Sequence, residues 1–180
     1  MKVVEVRAES AEGCCTYRSG KEKFSPVISL FPLGNRYFEV SSDFRVRITL
    51  DNGAVFDYLF RKGFVTNFRS GGLLVDAFID PIGDQLHQLC WIVHDGNYTP
   101  CDCVLMCGLR ANDGIHPVSK KTADELLRAM LVFSGTSKFK ADVIKRSVSW
   151  FGGSAYDEDD SLTPTNRTLF EFSMEVPVAA

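Results

Sequence analysis

Long apolar runs are missing from this sequence. The longest, such as Leu89 to Val93 and Met130 to Phe133, fall far short of the roughly 20 residues that a bilayer-spanning helix requires, so no membrane span is expected. An excess of positive charge is missing too. Against 23 Asp and Glu stand only 20 Lys and Arg in 180 residues, a formal net charge of -3, which leaves no overall basic field for gripping a phosphate backbone. Nucleic acid is therefore not an expected partner. Residues Met1 to Arg7 alternate like a strand and carry an early acid at Glu5, in place of the apolar stretch and small-residue cleavage site of a signal peptide. The cytoplasm, or a particle assembled there, is the expected location. There is no glycine-rich phosphate loop, no G-x-S-x-G elbow, no H-E-x-x-H helix, no internal repeat and no low-complexity tract.

Six cysteines are an even number, yet in an intracellular chain with 45% hydrophobic residues the expectation is reduced thiols rather than a disulfide framework. Cys101, Cys103 and Cys107, with His94 before them and His116 after, supply enough ligands for zinc. Their C-x-C-x3-C spacing is not a recurrent zinc-finger spacing, so neither a metal nor a cofactor is expected.

What is present reads as β first and α second. Phe44 to Leu50 alternates apolar and polar side chains, Asp51-Asn52-Gly53 follows, and Val55 to Phe60 is a second apolar run. Asn-Gly suits the two positive φ angles of a tight turn, so residues 43 to 61 are predicted to be a hairpin. Pro26 to Val40 contributes one or two further strands, while the polar, glycine-containing Ala8 to Glu22 reads as a loop. From Asp84 to about Tyr98, the apolar Leu86, Leu89, Cys90 and Val93 recur at helical spacing, and an adjoining face collects His87, Trp91, His94 and Tyr98. Ser119 caps a second helix running to Ser134 and ended by Gly135. Ser137 caps a third, running to about Phe151 and stopped by Gly152-Gly153. The expected fold class is α+β: an antiparallel sheet with the hairpin in the amino-terminal half, packed against about three helices from the carboxyl-terminal half. One domain is expected over residues 1–156. Residues 157–180 read as an acidic hinge, Asp157-Glu158-Asp159-Asp160, and a strand-like tail that packs back on the sheet or pairs with a neighbouring subunit.

Four separated segments resemble one family. Gly63-Phe64-Val65-Thr66-Asn67-Phe68-Arg69-Ser70 resembles a G-F-x-T-D-F-A-S block, with Asn67 and Arg69 standing where that block has aspartate and alanine. Trp91 to Tyr98 is similar to an apolar helix ending in H-D-x-x-Y, and Ser119 to Met130 to an S-R-x-E-A-D-x-x-F-x-x-A-M helix. Trp150-Phe151-Gly152-Gly153 matches an aromatic-glycine ending. On these blocks the chain resembles the phage- and prophage-associated family known as domain of unknown function 1353. That resemblance implies a bacteriophage structural or accessory protein in the virion's head, neck or tail, working through contacts with other phage virion proteins or with itself, in the virion or the host cytoplasm.

A second function class remains open beside it. His94, Asp95 and Asp124 are the candidate catalytic residues: an imidazole can take a proton from water, Asp95 can hold a cation or orient a second group, and Asp124 on the next helix can hold the imidazole. The H-D-x-x-Y helix with an aspartate on an antiparallel partner resembles secretory phospholipase A-two enzymes, in which the histidine activates water and the following aspartate binds calcium. Their glycine-rich calcium loop and dense disulfides have no counterpart here. This alternative is a hydrolase of lipid or cell-envelope material. The plainer role for the same three residues is capping and mutual hydrogen bonding within the helical layer.

Overall fold

Strict alternation dictates the first structural fact. In β5 (Phe44–Leu50) the side chains of Phe44, Val46, Ile48 and Leu50 turn inward and Arg45 and Arg47 outward, the period of two that one buried sheet face imposes. In the computed structural model, which describes residues 1–18, 28–34, 37–67, 85–101, 116–153, 156 and 166–177, this strand is the middle of a five-stranded antiparallel sheet. Its other members are β1 (Val3–Ser10), β2 (Gly13–Tyr17), β6 (Val55–Phe60) and β8 (Phe170–Glu175), in the order β2-β1-β5-β6-β8. A smaller antiparallel sheet holds β3 (Leu30–Gly34), β4 (Tyr37–Val40) and β7 (Val65–Thr66), in the order β3-β4-β7. Three helices follow: α1 (Gln85–Tyr98), α2 (Lys120–Phe133) and α3 (Lys138–Phe151). The fold is α+β, as the sequence predicts. Among the described residues no helix is long and apolar enough to cross a membrane.

The inner face of the sheet is aromatic where it meets α1. Phe56, Tyr58 and Phe60 on β6 lie in register with Met174, Phe172 and Phe170 on β8, and the Phe60 ring stacks on Phe44 at 5.0 Å. On the outer face Asp57 takes Arg47 at 3.0 Å and Arg45 at 3.4 Å, so the one acid in this apolar strand is neutralised by the cations beside it. The tail strand β8 thus belongs to the main sheet. The acidic stretch 157–160 lies outside the described residues.

The hairpin forms, but not through the expected two-residue turn. Leu50 and Ala54 close a three-residue loop, in which Gly53 N–H donates to the Leu50 carbonyl at 3.0 Å, Gly53 takes φ 82° and the Asn52 side chain accepts from Ala54 N–H. Only the glycine position needs the left-handed region, because a turn followed by a bulge suits the strand twist as well as a tight turn does. A second correction concerns Ala8 to Glu22. Ala8 to Ser10 and Gly13 to Tyr17 are strand, joined by a turn at Ala11-Glu12, and residues 19–22 lie outside the described ones. Its polar composition misleads because β2 is an edge strand whose outward side chains need no apolar partner; Tyr17 alone is buried there.

Ser119 and Ser137 cap α2 and α3 as expected, accepting from Thr122 N–H and Lys140 N–H. Gly135, at φ 98°, follows the end of α2. His87, near the start of α1, lies 2.9 Å from Thr136 Oγ1, just past the end of α2, which makes the two helices antiparallel neighbours. The predicted start of α1 at Asp84 falls outside the described residues.

Candidate active site

Two sequence blocks meet at the carboxyl-terminal end of α1. Gly96 allows it: a Cβ there would stand 2.9 Å from Phe60 Cε1 and 3.0 Å from Phe170 Cε2, so α1 touches the sheet with its backbone. That close approach brings Asp95 to the buried Thr66 on β7, whose hydroxyl donates to Asp95 Oδ2, and brings Asn97 Oδ1 to within 3.3 Å of the Tyr58 hydroxyl. β7 is itself pinned by Asn166, whose amide accepts from Val65 N–H and donates to the Val65 carbonyl, both at 2.9 Å, like a neighbouring strand. Burial of the Tyr58 hydroxyl holds its pKa far above the usual tyrosine value, so it stays a donor.

His94 and Asp124 meet on the other side of α1. His94 Nε2 lies 3.2 Å from Asp124 Oδ1, and the same oxygen accepts from the Tyr98 hydroxyl at 2.7 Å. Asp124 Oδ2 takes Lys120 Nζ at 3.1 Å and Ser149 Oγ at 2.8 Å. Four donors from three helices thus converge on one carboxylate. Burial alone would raise its pKa, but the hydrogen bonds from His94, Tyr98 and Ser149 prevail and hold it down to about 2. Burial and the adjacent carboxylate push Tyr98 far upward, which keeps its hydroxyl protonated. A carboxylate ionised in this way only accepts hydrogen bonds, so Nε2 carries the imidazole proton and the Nδ1 of a neutral His94 presents a lone pair.

Nδ1 is the unexplained atom. It is buried and has no hydrogen-bond partner among the described residues, as is also true of two donors on the same helix, Trp91 Nε1 and Asn97 Nδ2. Buried polar groups are satisfied in nearly all cases, and an exception points to a bound water or a chemical role. The rings around the imidazole are close: Tyr98 at 4.3 Å, Trp91 edge-on at 6.2 Å, and beyond Tyr98 the Tyr156 ring, which stacks on His116 at 3.9 Å. His94 itself is only 1% exposed.

All three candidate residues are therefore at one end of α1, but as two separate pairs, His94 with Asp124 and Asp95 with Thr66. Sequence reasoning did not single out Thr66, Lys120, Ser149 or Tyr156. Of these only Lys120 carried a signal, being four residues before Asp124 on a helix. No group of three or more His, Cys, Asp or Glu fit to hold a metal occurs among the described residues. Cys101 corrects the expectation of reduced thiols, because it is disulfide-bonded, whereas Cys14, Cys15 and Cys90 form no disulfide. A bridged sulfur has no thiolate to offer a metal. Cys103 and Cys107 lie outside the described residues.

The low pKa of Asp124 sets a pH dependence. A carboxyl that ionises more readily folded than unfolded stabilises the fold above its unfolded pKa of 3.8 and ceases to as pH falls through its folded value of about 2. Between about pH 4 and pH 2 the fold should lose about 2 kcal/mol from this group. Urea denaturation at stepped pH checks this, with the acid decline smaller by that amount in Asp124→Asn.

Set beside models of protein families, curated proteins and solved structures, the chain matches none. Its function has to be argued from its own geometry.

Proposed function

We propose that the chain is a hydrolase in which His94 is the general base. The observation that carries this reading is the geometry of one ring: Nε2 faces an ionised, fully partnered Asp124, while Nδ1 is buried without a hydrogen-bond partner among the described residues. An imidazole fixed in this tautomer takes a proton from water through Nδ1 as the water oxygen attacks an ester carbonyl carbon. Asp124 then stabilises the imidazolium, which returns its proton to the leaving oxygen as the ester C–O bond breaks. Trp91 Nε1 and Asn97 Nδ2 are N–H donors without partners among the described residues, about one helical turn to either side of His94, of the kind a developing oxyanion takes. Asp95 and Thr66 anchor the helix end to β7. The substrate class proposed is an ester of lipid or cell-envelope material, by analogy with the H-D-x-x-Y helix of the phospholipases. No step is routed through a metal.

A second reading is favoured by the enclosure of His94 and by the saturation of Asp124. On it the cluster only ties three helices together, and the chain serves as a virion-associated structural or accessory protein of the resembled phage family, acting through protein contacts. One variant separates the two. If His94 is the base, His94→Gln should lower hydrolysis of p-nitrophenyl esters or phosphatidylglycerol by about 100-fold or more, with little change in melting temperature. If the cluster is structural, no hydrolysis is found in the parent chain, and His94→Ala destabilises the fold by about 1 to 3 kcal/mol. A parent activity left intact in His94→Gln sinks the hydrolase reading.

A further inference from the structure

Helix α3 is apolar on two opposite faces. Ala141, Ile144 and Val148 are buried, as one packed face requires. On the far side Phe139, Val143, Arg146 and Trp150 recur at i, i+4, i+7 and i+11, which at about 100° per residue confines them to an arc of about 60°. Phe139 is 81% exposed and Trp150 74%, with Phe151 also exposed beside it. The buried residues of the helix lie on the opposite face, and surface helices normally put charge where this stripe runs.

Charge says what covers it. The helix carries Lys138, Lys140, Lys145 and Arg146 against Asp142 alone, in a chain whose net charge is -3. Asp142 is bonded to Arg128, and Lys145 to Glu125. Lys138, Lys140 and Arg146 make no ion pair among the described residues, and they flank or interrupt the aromatic stripe. A second copy of the chain fits poorly. Antiparallel two-fold pairing through the stripe would bring the two Arg146 side chains within about one helical turn of each other, where like charges repel. An anionic lipid surface fits on both counts, because Phe and Trp partition into the headgroup boundary and cations at the same level meet phosphates.

We propose that this outer stripe of α3 docks on the surface of an anionic lipid bilayer, with Phe139 and Trp150 entering the interface and Lys138, Lys140 and Arg146 meeting headgroups. The proposal rests on the surface of α3 and not on the His94 reading, so either can fail alone.

The chain has two tryptophans, Trp91 fully buried and Trp150 exposed, which supplies the readout. Vesicles of equal parts phosphatidylglycerol and phosphatidylcholine should co-sediment the protein and move tryptophan emission to shorter wavelength. The shift should vanish in Trp150→Phe, which assigns the signal. Pure phosphatidylcholine vesicles should bind far more weakly. Phe139→Ser should weaken binding, and replacing Lys138, Lys140 and Arg146 together by Gln should weaken it roughly 100-fold, about five-fold per cation. These side chains are at the surface, and a circular dichroism melt confirms that each variant is folded. Absence of binding to the anionic vesicles, equal binding to neutral ones, or binding unchanged in the triple variant overturns the proposal. So does a Trp150 shift that follows protein concentration without lipid, which would mean that a second copy covers the stripe.

Discussion

Asp124→Ala is expected to destabilise the protein by about 3 to 5 kcal/mol, the usual consequence of removing one member of a buried charged pair. The carboxylate receives four donors, and each fares differently without it. Lys120 is 23% exposed at its side chain and can swing to water, but the His94 side chain is fully buried. His94 Nε2 and the Tyr98 hydroxyl would become orphaned in a low-dielectric layer, adding to the Nδ1 that already lacks a partner among the described residues. In a domain of this size the loss corresponds to a fall in melting temperature of roughly 10 °C. Calorimetry of Asp124→Ala beside Asp124→Asn checks it. Asn keeps an oxygen acceptor of the same shape and should retain most of the stability, while weakening the hold on the His94 tautomer. A fall of less than about 1 kcal/mol in Asp124→Ala would mean that the three helices are held together by apolar packing alone.

Gly96→Ala is expected to cost about 1 to 3 kcal/mol even though alanine is the better helix former by up to about 1 kcal/mol. The added methyl would meet Phe60 Cε1 at 2.9 Å and Phe170 Cε2 at 3.0 Å. Those rings have little room to yield, since Phe60 also packs on Phe44 at 5.0 Å and edge-on against Phe64 at 5.0 Å. Relief must come from α1 lifting off the sheet. The same displacement pulls Asp95 from Thr66 and Asn97 from Tyr58, so loss of stability should come with altered side-chain signals of both pairs by NMR. An unchanged or higher melting temperature would show that the rings give way and that the helix height over the sheet is not fixed by Gly96.

How much of this could be read without coordinates depends on the range of the interaction. Helix ends are local: Ser119, Ser137 and Gly135 act on backbone groups within a few residues, and all three do what their positions predict. Strand alternation in Phe44 to Leu50 is likewise local, and it identifies the buried face. Edge status is not. Ala8 to Tyr17 looks like a loop because a strand with one neighbour needs few apolar side chains, and only the sheet order reveals that β2 has one neighbour. The turn of the hairpin shows the same limit at small scale, since Asn-Gly fits more than one loop and the pairing of Thr49 with Val55 selects among them.

The site divides along the same line. Sequence by itself determined that an imidazole and a carboxylate stand side by side on one amphipathic helix, and that a second carboxylate sits one turn inside the next, because spacing along a helix fixes direction. Tertiary structure alone decided that Asp124 reaches His94, that Asp95 turns away to Thr66, and that α3 keeps a second apolar face outside. Those outcomes depend on the antiparallel register of α1 and α2 and on the height of α1 over Phe60 and Phe170, which are set by contacts between residues tens of positions apart. A side chain's direction comes from its neighbours in the chain, but its partner is whatever the packing of distant elements brings within about 3 Å.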